Sequence, residues 1–337
     1  MNKDTANIIS KLSFARTVNF LVNWGSFHLS KIFRRNLHRG MPVSVSIEPT
    51  TACNLGCPEC PSGLKKFTRD TGNIKAEFNK KMIDQLHKKL MYVNFYFQGE
   101  PFIHPHFLDM VSYASSKKLY TSTSTNAHFL NDELAKKTVQ SGLDRLIISI
   151  DGITQETYSS YRVNGQLGKV LEGTRNIMKW KKELNSKTPY VIYQMLVVKP
   201  NEHEIEEAKK LAKEMGVDEI RFKTAQVYHP KDNHPLIPQN EVYSRYRKTS
   251  DGTYIIKNKL ENQCWRMWQG CVLTWDGLVV PCCFDKDATH RMGDLKTQSF
   301  REVWRNKPYN NFRSKILKSR KEIDICKNCS EGTKVFT

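Results

Sequence analysis

The sequence predicts an α/β protein with a parallel sheet, followed by a smaller cysteine-bearing region. Three observations carry that expectation. Strand-like and helix-like segments alternate from Val43 to about Lys223. The nine cysteines fall into two groups, at 53–60 and 264–329. At 337 residues the chain is long enough for one large core or two unequal ones.

Residues 1–42 form a separate N-terminal segment. Ile8, Ile9, Leu12, Ala15, Val18, Val22, Leu29, Ile32 and Phe33 recur at loosely helical intervals. Lys3, Lys11, Arg16, Lys31, Arg34, Arg35 and Arg39 stand against a single acid, Asp4. A basic amphipathic segment of this kind suits a helix lying in a membrane interface. It also suits helices packed on the body of the protein.

From 43 to 225 the apolar, β-branched runs at 43–47, 92–97, 120–124, 145–150, 190–198 and 218–223 read as six strands. Helical segments are expected near 79–90, 106–118, 131–141, 168–184 and 203–215. This alternation gives a parallel sheet with right-handed crossovers, doubly wound or rolled as a barrel. In either form the chemistry sits in the loops after the strands. Residues 226–262, with prolines at 230, 235 and 238 and no periodicity, are expected to be a linker. Residues 263–332 form the second domain.

The composition, 39% apolar and 26% charged, is that of a soluble globular chain. No apolar run approaches the roughly 18 residues of a membrane span, and no signal-peptide pattern is present. Nine cysteines in a chain this long do not make a secreted disulfide scaffold. A cytoplasmic protein is expected, peripheral at the inner face of the membrane if the N-terminal segment touches lipid. The net charge of +19 fits nucleic acid, an anionic membrane face, a phosphorylated substrate or simply solvated helix faces.

The first cysteine group is Cys53, Cys57 and Cys60, spaced C-x3-C-x2-C directly after the first strand. Closed zinc sites want four ligands. Three thiolates suit a cubane iron–sulfur cluster with one iron left open. The spacing resembles the radical S-adenosylmethionine (radical SAM) superfamily. That resemblance implies a partial (β/α)6 TIM-like barrel, and a [4Fe-4S] cluster whose open iron is chelated by S-adenosylmethionine.

Further motifs extend the resemblance. Gly99-Glu100-Pro101, after the second strand, is similar to the family's Gly-Gly-Glu-Pro element, with Gln98 in place of the first glycine. It implies contact with the methionine amino group. Ser149 and Asp151, on one side of the fourth strand, resemble the ribose-contacting segment. Arg162 resembles an arginine that pairs with the cofactor carboxylate, and Thr125-Asn126 matches a softer signature. Glu59 departs from the aromatic residue common before the third cysteine, and is expected to accept from the adenine amino group instead.

The second group frames an apolar hairpin with an Asp276-Gly277 turn and closes with Cys326-Lys327-Asn328-Cys329. On its own it fits a zinc ribbon equally well. It resembles the SPASM domain in its shorter twitch form, which implies an auxiliary [4Fe-4S] cluster on Cys264, Cys282, Cys326 and Cys329. Cys271 and Cys283 are then packing residues, with an exchange of either into the site left open.

The implied function is reductive cleavage of S-adenosylmethionine to a 5′-deoxyadenosyl radical and abstraction of a substrate hydrogen. The net result is oxidation or coupling of a small-molecule or lipid-linked substrate. A flavodoxin- or ferredoxin-like protein would supply electrons. Tyr96, Gln194 and Lys223 are candidate pocket residues, and Asp276 and Asp285 candidate bases. A peptide-modifying maturase is the alternative within the family, although 42 residues before the core are too few for a peptide-recognition domain. Outside it stand a non-catalytic electron-transfer protein and a zinc-containing nucleic-acid-binding protein. Neither explains Gly99-Glu100-Pro101, and nucleic acid is not the expected partner.

Overall fold

The computed structural model describes residues 2–230, 233–257 and 259–329. Lys231, Asp232 and Asn258 of the expected linker, and residues 330–332 of the expected second domain, lie outside them. The chain opens with helices α1 (Lys3–Ser10) and α2 (Phe14–Phe33). Then follow β1 (Ser44–Ile47), α3 (Pro61–Leu64), α4 (Ala76–Leu86), β2 (Tyr92–Asn94), α5 (Phe107–Ser116), β3 (Tyr120–Thr125) and α6 (Asp132–Gln140). Next are β4 (Arg145–Ser149), α7 (Gln155–Tyr161), α8 (Leu167–Glu183), β5 (Tyr190–Val197), α9 (Ile205–Glu214) and β6 (Glu219–Thr224). A hairpin, β7 (Tyr246–Lys248) and β8 (Tyr254–Ile256), precedes α10 (Arg266–Gln269), β9 (Gly270–Leu273), β10 (Leu278–Val280), β11 (Gly293–Asp294), α11 (Phe300–Arg305) and α12 (Lys307–Ser319). All six expected strands and all five expected helices are present. The short α3 and α7 were not expected.

Two compact units emerge. The first draws on Met1–Ala52, Phe67–Thr123 and Leu260–Gly332. Its strands lie in the order β11-β10-β9-β1-β2-β3. β1, β2 and β3 are parallel, as period and crossover length require. The unexpected feature is β9, which pairs in parallel with β1, Ser44 opposite Gly270. A Cβ on Gly270 would stand 2.2 Å from the Ser44 carbonyl oxygen, so the close approach needs glycine. The C-terminal hairpin β9–β10 is antiparallel, and Gly277 takes φ +90° at its turn. Beneath it Arg313 is fully buried, its guanidinium 4.5 Å from the Trp304 ring centre and 4.2 Å from that of Tyr309.

Helix α2 sits in this unit with its polar side inward. Arg16 donates to the carbonyls of Lys11, His87, Lys117 and Lys118. The last three close the C-terminal ends of α4 and α5, where a cation is favoured. Asn19 donates to the Met41 and Lys89 carbonyls, and Asn23 to those of Asn19 and Met41. The packed-helix expectation therefore holds, but through hydrogen bonds and with the apolar side outward.

The second unit comprises, among the described residues, Cys53–Lys66 and Ser124–Lys259. Parallel β4, β5 and β6 form its sheet, with Ser149 opposite Gln194. Its linker portion is more structured than its prolines announce. Leu236, Ile237 and Tyr246 are buried against Leu55, Cys57 and Tyr161, and Tyr246 anchors the β7–β8 hairpin.

Candidate cluster and cofactor sites

The loop after β1 carries the first three cysteines. Cys60 caps α3 in an extended conformation, its carbonyl accepting from Leu64 N at 2.9 Å. A Cβ on Gly63 would lie 2.6 Å from Cys57 N, so glycine lets α3 rest on the loop backbone. Cys57 is buried among Leu55, Tyr161, Val198, Ala225 and Val227, with Cys53 and Cys60 packed against the same cluster. One buried and two half-buried thiols beside an apolar cluster form a donor set for an iron–sulfur cluster largely shielded from water. Among the described residues no three Cys, His, Asp or Glu side chains are placed to hold one metal ion. A cubane asks for something else, one thiolate at each separate iron.

Arg162 sits over this loop. Its Nε donates to Asp151 Oδ2 at 2.5 Å and its Nη1 to Cys57 Sγ at 3.7 Å. Burial pushes the Cys57 thiol up, and the Arg162 charge opposes it. Asp151 is 1% exposed, and its other oxygen accepts from Leu196 N at 2.6 Å. Asp151 thus holds Arg162, a role the expected ribose contact did not include. Arg162, expected to face a cofactor carboxylate, already has one arm on Asp151. Ser149 is buried at the end of β4.

Gly99 has φ +74°, and a Cβ there would stand 2.3 Å from the Thr50 carbonyl oxygen and 2.8 Å from that of Ala52. Glu100 N donates to the Ala52 carbonyl at 2.7 Å, immediately before Cys53. The Gly99–Glu100 backbone is therefore fastened to the start of the cysteine loop. The buried Glu100 carboxylate accepts from Phe102 N at 3.2 Å, with Pro101 in the same turn. A side-chain-free backbone next to a buried carboxylate fits a ligand bearing an ammonium group.

Glu59 is engaged elsewhere than expected. Its Oε2 accepts from Tyr228 N at 2.9 Å, and His234 Nε2 lies 3.9 Å from Oε1. Asn126, one of the softer signatures, donates to Asn54 Oδ1 at 2.8 Å, bracing the cysteine loop.

The C-terminal thiols gather around one arginine. Arg320 is fully buried, donates to the Gln263 carbonyl at 2.8 Å and reaches Cys329 Sγ at 3.5 Å. Cys264, Cys329 and Cys326 all raise its pKa against burial. Burial drives the Cys282 thiol up, and the neighbouring Cys283, then Cys264 and Cys329, push it the same way. Cys264, Cys282, Cys326 and Cys329 thus interact with one another, and Cys283 joins them through Cys282. Cys271 faces Tyr309 and Arg313 instead, and Cys283 packs beside Val272, Val280 and Ala288. Of the candidate bases, Asp285 has both oxygens engaged, whereas half-buried Asp276 uses one. Asp285, 1% exposed, accepts from Thr289 N, Thr289 Oγ1 and His290 N, and Asp276 accepts from Thr274 Oγ1. Of the candidate pocket residues, Tyr96 and Gln194 are half-buried and Lys223 is exposed.

Sequence reasoning missed Arg320 and the Glu48–Arg69 pair. Arg69 grips Glu48 with two bonds of 2.9 and 2.6 Å, 3% and 0% exposed. Glu48 also accepts from Trp275 N at 3.1 Å, and the Trp275 indole covers Gly72. A lone acid after a strand and a basic loop residue gave no signal for that clasp.

A strand-end loop with three thiols, a glycine-opened backbone and a separate nest of four thiols define an iron–sulfur enzyme of the radical class. The chain belongs to the radical SAM superfamily, whose model matches residues 47–212, and carries a SPASM iron–sulfur cluster-binding domain at 264–330. The fold is accordingly the partial TIM-like barrel with a C-terminal SPASM domain. Its cofactors are S-adenosylmethionine and [4Fe-4S] chemistry, and the zinc reading of the second cysteine group gives way to iron–sulfur. A Pyrococcus furiosus protein described as tungsten-containing aldehyde ferredoxin oxidoreductase cofactor-modifying protein is 25% identical over 313 residues, covering 84% of this chain and 86% of that one. Mycofactocin maturase MftC of Mycobacterium ulcerans is 32% identical over 137 residues, so the match spans only 36% of that protein. Streptococcus suis SuiB bound to S-adenosylmethionine superposes with a TM-score of 0.64 at 12% identity, over 90% of this chain and 75% of that one.

Proposed function

We propose that the protein removes a hydrogen atom from a small-molecule or cofactor-like substrate and completes a net oxidation. In this reading Cys53, Cys57 and Cys60 hold the catalytic cluster, and Cys264, Cys282, Cys326 and Cys329 hold one closed auxiliary cluster. When bound, the two clusters and S-adenosylmethionine supply a 5′-deoxyadenosyl radical and a one-electron acceptor.

The chain's own residues do the positioning. Gly99 keeps side-chain atoms away from the strand end, Glu100 offers a carboxylate to the methionine ammonium, and Ser149 faces the ribose. Arg162, fixed by Asp151, places positive charge beside Cys57. Leu55, Tyr161 and Val198 exclude water.

The observation that supports the oxidation reading is the gathering of Cys264, Cys326 and Cys329 around Arg320, with Cys282 close to Cys264 and Cys329. Four thiolates close every iron, leaving electron acceptance as the chemistry of that site. The name of the Pyrococcus relative favours a cofactor-like substrate. This chain's likeness to the PqqA peptide cyclase of Bradyrhizobium diazoefficiens, 24% identical over 192 residues, favours peptide modification as a second reading. An electron donor of the flavodoxin or ferredoxin kind is required. Membrane contact through residues 1–40 belongs to this reading through the outward side of α2.

The test is anaerobic reconstitution with iron and sulfide analysis. About eight irons should bind, falling to about four when Cys264, Cys282, Cys326 and Cys329 are replaced by alanine. Dithionite and S-adenosylmethionine should then yield 5′-deoxyadenosine. No iron, or no 5′-deoxyadenosine from fully loaded protein, would sink it.

A further inference from the structure

Helix α2 is amphipathic the wrong way round for a packed helix. Its buried side is Arg16, Asn19, Asn23, Ser26, Phe27 and Ser30, polar but for one residue. Its outward side is apolar. Phe14 is 85% exposed, Ile32 70%, Phe33 61% and Leu21 56%, with Trp24 and Leu29 beside them. Ten of the sixteen exposed large hydrophobics among the described residues lie between Ile9 and Leu37. Ordinary surface helices place this stripe against the core. Contiguous exposed apolar surface marks a contact with something else.

The charge around this stripe has one sign. From Ala6 to Gly40 there is no carboxylate, while Lys31, Arg34, Arg35 and Arg39 cluster at the C-terminal end of α2. There the first unit opens a cavity of about 620 Å³ lined by Arg34, Arg35, Arg39, Arg305, Lys318 and His38, with no acidic residue in its wall. None of those five cations has a carboxylate partner among the described residues. The Nε2 of His38 is buried and has no hydrogen-bond partner there either. Five unpaired cations around one space repel one another, and an anion in the space relieves that.

We propose that α2 and this cavity form a docking surface for an anionic phospholipid membrane. The cavity receives headgroup phosphate, and the Phe14–Phe33 side lies in the boundary between headgroups and acyl chains. The polar side of α2 is hydrogen-bonded to the body from Arg16 to Ser30, so the helix lies along the surface and does not cross it. No helix among the described residues is long and apolar enough to span a membrane. Trp24 and the terminal phenylalanines suit the interfacial belt. Nucleic acid would match the cations but leave the apolar stripe without a partner.

The test uses the reconstituted full chain in vesicle co-sedimentation. Phosphatidylcholine vesicles are compared with vesicles that also contain phosphatidylglycerol. The protein should pellet with the anionic vesicles only, and release as salt rises. Two variants separate the parts, Ile32→Gln/Phe33→Gln for the stripe and Arg34→Gln/Arg35→Gln/Arg305→Gln for the cavity. Each should weaken vesicle binding by about tenfold or more while iron content and circular dichroism stay unchanged. Equal binding to neutral vesicles, or none to either, overturns the proposal. So does occupation of the cavity by inorganic phosphate without vesicle binding, which would assign it to a soluble ligand. A lipid-free dimer that Ile32→Gln/Phe33→Gln dissociates would give the stripe to a second copy and equally overturn it. All these readouts are independent of the substrate.

Discussion

Asp151 and Arg162 form a pair in which one buried carboxylate decides where a charge sits. The Asp151 Oδ2 takes the Arg162 Nε–H at 2.5 Å, and the same guanidinium reaches Cys57 Sγ at 3.7 Å. Replacing Asp151 by Asn leaves that cation in an apolar pocket without its counter-ion. Breaking a buried pair from one side costs roughly 3 kcal/mol. Anaerobic urea unfolding should show Asp151→Asn destabilised by about that amount. The Asp151→Asn/Arg162→Met double variant should lose less than the sum of the singles.

Gly99 is expected to tolerate nothing larger. The atoms its Cβ would meet, the carbonyl oxygens of Thr50 and Ala52, are backbone and cannot swing away. Gly99→Ala should therefore shift the strand end by roughly 1 Å and disturb whatever binds there. A loss of about hundredfold in 5′-deoxyadenosine formation is expected. S-adenosylmethionine binding by equilibrium dialysis should fall with it, while iron content holds.

Arg320 supplies a positive charge beside Cys264, Cys326 and Cys329. Removing it makes that site more negative and harder to reduce. For Arg320→Gln the auxiliary cluster's reduction potential should drop by on the order of 100 mV. A redox titration followed by electron paramagnetic resonance reads this directly, and Arg320→Lys should recover part of the shift.

His38 gives a pH dependence with a definite sign. Burial and the Arg313, Arg305 and Arg39 charges push its pKa down from 6.5 to about 2. The folded state holds it neutral, and the unfolded state protonates it near its ordinary value. The unfolded chain thus binds more protons below pH 6.5, and stability falls as pH drops through that window towards 2. Between pH 7 and pH 5 this group should remove at most about 2 kcal/mol. Unfolding midpoints for wild type and His38→Asn, measured at both pH values, should diverge accordingly.

The strands and both cysteine groups were legible because they are local, in the two-residue alternation of Val43–Ile47 and in the spacing of Cys53, Cys57 and Cys60. The amphipathic character of α2 was legible too, but not which side faces inward. That depends on the carbonyls of His87, Lys117 and Lys118, which meet Arg16 only in the folded chain. Arg320 was invisible for the same reason. In sequence it is one basic residue among several at a helix end, and its meaning comes from cysteines brought to it by the fold. Glu59 shows the limit of analogy, since its carboxylate serves the Tyr228 backbone.

The pairing of β1 with β9 also sets a clock on synthesis. Gln269, whose carbonyl accepts from Val43 N at the mouth of that ladder, is made 225 residues after Ser44. At about 5–20 residues per second the ribosome needs roughly 10–45 s to cover that distance. Throughout that interval the nascent β1 has one row of peptide groups without its final neighbour, an invitation to wrong pairing. The ladder can close only once the C-terminal hairpin emerges, so a transcript truncated before it leaves that edge open for the life of the product.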